Sequence, residues 1–159
     1  VFIETVDPSF RIPKLVVNVV CNTYSGEKFS GEIFLDGTGS CTPRKILDFL
    51  NSESLFLPVK TSSQETPRLI SKNALILVET SRFIPDVRKE TSAFLTQRRN
   101  ALFQVQSLGS LHAEILIDTP KDQARVLDVL NLAQRFLPVL YEEKYCLLNS
   151  NRILEVLET

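Results

Sequence analysis

Along Phe29-Ser-Gly-Glu-Ile-Phe-Leu-Asp36 apolar and polar positions alternate. Phe29, Gly31, Ile33 and Leu35 share one face; Ser30, Glu32 and Asp36 share the other with Phe34. The same period of two runs from Leu111 to Asp118, with Leu111, Ala113, Ile115 and Ile117 on one side and His112, Glu114, Leu116 and Asp118 on the other. Successive side chains of a strand point to opposite faces, so both stretches read as strands with a buried face. Leu15 to Asn22 is short, apolar and β-branched, as a buried strand should be. Tyr24-Ser25-Gly26-Glu27 reads as a turn in which Gly26 can take a positive φ.

A helix start follows each alternating strand. Thr42-Pro43 and Thr119-Pro120 both place a capping hydroxyl before a proline at the first helical position, and Asp122 completes a near capping box in the second case. Ile46, Leu47 and Leu50 form an apolar helical stripe, as do Val126, Leu127 and Leu130. Asn51 and Asn131 suit the left-handed position that ends a helix. The strands that follow carry Pro58 and Pro138, which places them at an edge or a bulge, because proline cannot donate to a ladder. Leu69 to Val78 and Leu147 to Val156 each read as strand, tight turn around Asn73 or Asn151, and strand.

These parallels reflect a duplication. Leu47 to Val59 and Leu127 to Val139 agree at 8 of 13 positions, including Asp48/Asp128, Asn51/Asn131 and Pro58/Pro138. Similarity at a fixed period says more about architecture than about chemistry. The expected organisation is an N-terminal arm over 1–14, one repeat over 15–80, a polar linker or helix over 81–100 and a second repeat over 101–159. The fold class expected is mainly β, an α+β chain of two tandem repeats. Each repeat is a small barrel or bent antiparallel sheet with one short helix, and a pseudo-twofold axis relates the two.

Composition narrows the function classes. The chain has 159 residues, 43% of them hydrophobic, and a net charge of −1, so no bulk positive field draws it to nucleic acid or anionic lipid. No apolar run reaches the ~18 residues of a membrane span, and no membrane partner is expected. Cys21, Cys41 and Cys146 are odd in number and lack metal-ligand spacing, which fits reduced thiols and a cytoplasmic location. The chain starts at Val1 and holds no Met, so it reads as a fragment.

Two resemblances attach to named residues. Val17-Asn-Val-Val-Cys-Asn22 with Glu27-Lys-Phe-Ser-Gly31, and Ile70-Ser-Lys-Asn-Ala-Leu-Ile76, resemble the opening and ending of Sm-like and SH3-like small barrels. The Leu-Asp-x-Leu-Asn…Phe-Leu-Pro pattern resembles an uncharacterised bacterial domain family. The Sm-like resemblance implies single-stranded RNA binding through an Asp, an Asn and an Arg-Gly or Lys-Gly pair near the last turn. Here the turns read Ser71-Lys72-Asn73 and Asn149-Ser150-Asn151, without that pair.

The candidate chemistry is thin. Asp48/Asn51 and Asp128/Asn131 each face one way on a helix, and a close approach of the two Asp could bind a metal or share a proton. Satisfaction of nearby backbone groups explains their recurrence better, so both pairs, with Pro58 and Pro138, are taken as structural motifs. His112 is the lone histidine and points outward. Cys41 precedes a helix N-terminus, a setting that can lower a thiol pKa. Arg82, Arg88, Lys89, Arg98 and Arg99 form a modest basic cluster. Phe34 and Leu116, apolar on otherwise polar faces, must be covered by something. The candidate binding or interface residues are therefore Phe34, Leu116, Arg88, Arg98 and Arg99, with no catalytic residue, metal or cofactor expected. The expected function is a non-enzymatic protein-interaction or assembly module of the bacterial cytoplasm, with a protein partner or a homo-oligomer. The alternatives are Sm-like RNA binding and a small-ligand sensor.

Overall fold

The structure is a computed structural model that describes residues 14–37, 41–62, 65–80, 94–120, 125–132 and 134–159. The described chain is mainly β. It runs β1 (Lys14–Thr23), β2 (Lys28–Asp36), α1 (Pro43–Leu50), β3 (Phe56–Val59), β4 (Arg68–Ser71) and β5 (Leu75–Thr80). It continues with β6 (Phe94–Val105), β7 (Gly109–Pro120), α2 (Val126–Leu130), β8 (Phe136–Tyr141), β9 (Lys144–Asn149) and β10 (Ile153–Glu158). Single 3-10 turns over Lys72–Ala74 and Ser150–Arg152 join β4 to β5 and β9 to β10, at the tight turns expected around Asn73 and Asn151. No described helix is long and apolar enough to cross a membrane.

Eight strands form one antiparallel sheet in the order β10-β6-β7-β8-β9-β5-β1-β2. β3 and β4 pair separately, and a bridge between Glu32 and Lys60 ties that ribbon to β2. Gly31 permits this crossing, because a Cβ there would collide with Val59 Cγ1. The expected barrels are not closed: the sheet ends at β10, and β4 forms the far edge of the ribbon. The expected twofold relation is also not displayed. β5 pairs with β9, and a twofold would require β10 to pair with β4, which it does not.

Local signals succeed where tertiary structure leaves them alone. Thr42 caps α1, its hydroxyl accepting from Lys45 N at 3.3 Å, with Pro43 in the first turn. The second helix does not start at Thr119-Pro120, because those residues extend β7 and pair with Leu95 and Phe94. A cap contributes only about 1 kcal/mol, less than continuing a long ladder. α2 begins after Arg125, without a side-chain cap, and is five residues long. Asn51 and Asn131 end their helices at φ −88° and −86°, so neither is left-handed. Pro138 is not at an edge, since β8 lies between β7 and β9. The β7 ladder pairs with β8 only at Val139 and Leu140, so at Pro138 the strand has a partner on one side alone. The proposed linker or helix over 81–100 is strand from Phe94 onward, paired with β7. Residues 81–93, the arm over 1–13 and Asp122 lie outside the described residues.

The core explains the sheet order. One buried cluster gathers Val19, Cys21, Ile33, Ile46, Leu50 and Leu57 with Leu116, Phe136, Tyr145 and Leu147. A second gathers Phe103, Leu111, Ile115, Ile117 and Val139 with Ile76 and Leu77. Each cluster thus takes side chains from both halves of the chain. On β9, Tyr145 and Leu147 enter the first cluster while Cys146 and Leu148 enter the second. β5, β8 and β9 therefore form a wall between two cores. Burial on both faces is why they read as near-continuous apolar runs rather than alternating ones.

Leu50 is fully buried, whereas Leu130, its counterpart in the duplicated motif, is half-buried on the short α2. In urea unfolding, Leu50→Ala is expected to lose about 2–5 kcal/mol, as large-to-small core changes do, and Leu130→Ala clearly less. Equal losses would mean that the two helices pack alike.

Candidate functional site

Hydrogen bonds concentrate where the two halves meet. Asn51, just past α1, reaches across to β8. Phe136 N donates to its Oδ1 at 2.7 Å, and its Nδ2 donates to Phe136 O at 3.2 Å. Phe136 itself is completely buried, so this one amide satisfies a backbone donor and acceptor that water cannot reach. Asn149, also buried, donates to Leu75 O at 2.8 Å and Lys72 O at 3.3 Å. Thr80 Oγ1 donates to Tyr145 O at 2.6 Å, and Tyr145 Oη donates to Pro43 O at 3.2 Å. Arg152 Nε donates to Asn73 O at 3.0 Å, and its guanidinium lies 4.5 Å from the Tyr24 ring centre. With the three β5·β9 pairs, Leu77–Leu148, Val78–Leu147 and Glu79–Cys146, these contacts form a continuous seam.

Two buried charges flank the seam. Lys72 has no exposed surface. Its Nζ donates to Ser54 Oγ at 3.0 Å, Ser52 Oγ at 3.1 Å, Ser52 O at 3.3 Å and Phe49 O at 3.4 Å. Desolvation, and secondarily the Arg135 charge, lower its pKa. The ammonium sits at the carbonyl end of α1, where a cation offsets the helix dipole. Glu79 lies between Lys28 at 3.8 Å and Lys144 at 3.9 Å and accepts from Asn22 Nδ2 at 3.1 Å.

The residues singled out from sequence scatter. Leu116 is buried in the first core cluster, and Phe34 is half-buried on β2. Arg98 is exposed, 3.9 Å from Glu114, and half-buried Arg99 donates to Gln97 Oε1 at 3.1 Å. Arg82, Arg88 and Lys89 lie outside the described residues. Asp48 pairs with Arg44 at 3.3 Å and Asp128 with Arg125 at 3.6 Å, so each carboxylate is engaged on its own helical segment. Pro58 is exposed on β3. Asn131 is exposed, unlike Asn51. Sequence reasoning missed Lys72, Glu79, Thr80, Tyr145 and Asn149. The available signal was a polar residue inside or beside an otherwise unbroken apolar run, as in Leu75-Ile-Leu-Val-Glu79-Thr80.

The chemistry open to these groups is limited. Burial pushes the Cys21 and Cys146 thiols up to about 12. The thiol of Cys41, before the start of α1, has its pKa raised by desolvation, with the Lys45 charge opposing. Among the described residues no group of three or more His, Cys, Asp or Glu could hold a metal. A groove of about 650 Å³ is lined by Arg98, His112, Glu114, Glu142 and Glu143 among others, so acidic groups outnumber basic ones there.

Most of the exposed large apolar side chains among the described residues fall into two groups: Leu55, Phe56 and Leu69 just before and on the β3–β4 ribbon, and Leu127, Leu132, Leu154 and Leu157 on α2, just after it and on β10; Val16 on β1 and Tyr24 and Leu108 in turns stand apart. β10 is one end of the eight-stranded sheet, and the β3–β4 ribbon is a separate pair bridged to β2, its other end. Comparison with protein-family models, with curated proteins and with solved structures finds no match, so the resemblances drawn from motifs gain no support there.

Asn51→Ala strands the buried N–H and C=O of Phe136, and an unsatisfied buried group costs about 1–3 kcal/mol. Denaturant unfolding of the dilute chain is expected to show a loss of that size. Asn131→Ala, at an exposed site, is expected to change little; a comparable loss there would contradict the clamp assigned to Asn51.

Proposed function

We propose that the chain is two copies of one folding unit laid side by side, and that it acts as a non-enzymatic protein-assembly module. Register supports the two-unit reading. The pairs Val19–Gly31 and Val19–Thr80 of the first half correspond to Ala101–Ala113 and Ala101–Glu158 of the second. Pro58–Leu69 corresponds to Pro138–Leu147, and Glu32–Lys60 to Glu114–Leu140. Each half also breaks register next to its own long-range pair, at Asn22/Thr23 and at Ile153/Glu155.

The observation that carries the assembly reading is the exposure of large apolar side chains on β10, one end of the eight-stranded sheet, and on β4 of the ribbon bridged to β2. An unpaired strand edge with apolar flanks is a template for another chain unless it is covered or charged. The mixed-charge groove and the engaged Asp48 and Asp128 carboxylates favour a protein partner over RNA or a catalytic reaction.

The test is photo-crosslinking in cells, with a benzophenone amino acid placed at Leu69 or Leu154 and, as control, at exposed Asp48. Discrete protein adducts from both edges and none from Asp48 are expected. Adducts to nucleic acid, or edge yields no higher than the control, would sink this reading.

A further inference from the structure

The seam inside the chain joins the last strand of the first unit to the fourth strand of the second. If the two units are equivalent, β10 and β4 are the same two edges, left unpaired among the described residues. What happens to each position when its edge is filled can be read directly from its counterpart. Leu69 on β4 is 67% exposed, while its counterpart Leu147 on β9 is 0% exposed. Leu154 on β10 is 75% exposed, against 0% for Ile76 on β5. Phe56 is 55% exposed, against 0% for Phe136, which lies beneath the Asn51 clamp. Leu127 on α2 is 57% exposed, against 8% for Leu47 on α1, a helix that packs on β8. The excess exposure is therefore distributed over the elements that the inner seam covers.

We propose that the protein assembles head to tail with further copies of itself, β10 of one chain adding to β4 of the next as β5 adds to β9 within the chain. This rests on the two-unit reading above. The inner register sets the outer one: Glu155 opposite Ile70 of the next copy, Val156 opposite Leu69 and Leu157 opposite Arg68. Asn131 then takes the place of Asn51, its amide bridging the N–H and C=O of Phe56 in the next copy. Leu127 closes over β3 as Leu47 closes over β8. Continuity with the existing seam argues for a second copy as occupant, because the contact repeats one the chain already makes. Charge argues for the same polarity. β10 carries Glu155 and Glu158, so pairing two β10 strands brings like charges together across the ladder, whereas β4 carries no acidic side chain and its Arg68 is held by Glu27 at 2.9 Å. The contact joins unlike edges, so it propagates. It yields a closed ring if the rotation between chains closes and a filament if it does not.

The test uses the full chain and two edge variants, Leu69→Lys and Leu157→Lys, each at an exposed site and each checked for native far-ultraviolet circular dichroism. Sedimentation velocity over a range of concentrations reads the mass. The wild type is expected to form multimers and each variant alone to stay monomeric. An equimolar mixture is expected to form dimers and nothing larger, since the intact β10 of the Leu69→Lys chain meets the intact β4 of the Leu157→Lys chain. A wild type monomeric at all concentrations, a single variant that still assembles, or a mixture that stays monomeric would overturn the proposal. If the wild type is monomeric while both edges still yield crosslinks to a different protein in cells, head-to-tail self-assembly fails and the assembly-module reading stands. If the crosslinks are also absent, both fail.

Discussion

The ladder between β5 and β9 is the contact on which the rest of the structure depends. Without it β5, β8 and β9 would each expose one of two apolar faces, and neither core cluster would be complete, since each draws side chains from both halves. The ladder also determines which polar groups are tolerable inside. Asn149, Thr80 and Asn51 are spent on backbone groups that become inaccessible only because the halves meet. A buried polar network of this kind is costly when half-satisfied and specifying when complete. It holds the two halves in one relative position.

The same contact separates residues that are identical in sequence. Asp48-x-x-Asn51 and Asp128-x-x-Asn131 stand in the same motif, yet Asn51 clamps a buried strand while Asn131 faces solvent. Leu50 is core and Leu130 only half so. The difference lies in what stands across the edge, not in local propensity. α1 packs on β8 of the other half, whereas the main strand contact of α2 is β7 of its own half.

Much of the fold was legible in the sequence, because strands with one buried face write their orientation into a period of two. Phe29 to Asp36 and Leu111 to Asp118 were assigned in this way and lie in β2 and β7. The duplicated Leu-Asp-x-Leu-Asn stretch located α1 and α2. What failed were features set by long-range pairing. Thr119-Pro120 carries a good helix-start signal, yet the β6·β7 ladder draws it into a strand. The expected twofold and closed barrels required knowing which edges pair, and a single chain does not encode that locally. The candidate site was the least legible. Lys72, Glu79 and Asn149 are ordinary polar residues in sequence, and only burial in the tertiary fold gives them a role.

The central claim is that β4 and β10 are two halves of one unfilled contact, equivalent to the filled contact of β5 and β9. Amide hydrogen exchange, resolved by strand and compared between dilute and concentrated protein, tests this most directly. The account predicts that β5 and β9 are protected at both concentrations. It predicts that the outward-facing amides of β4 and β10, those not bonded to β3 and β6, exchange freely when dilute and gain protection together when concentrated. Protection gained by only one of the two edges, or by neither, would contradict it.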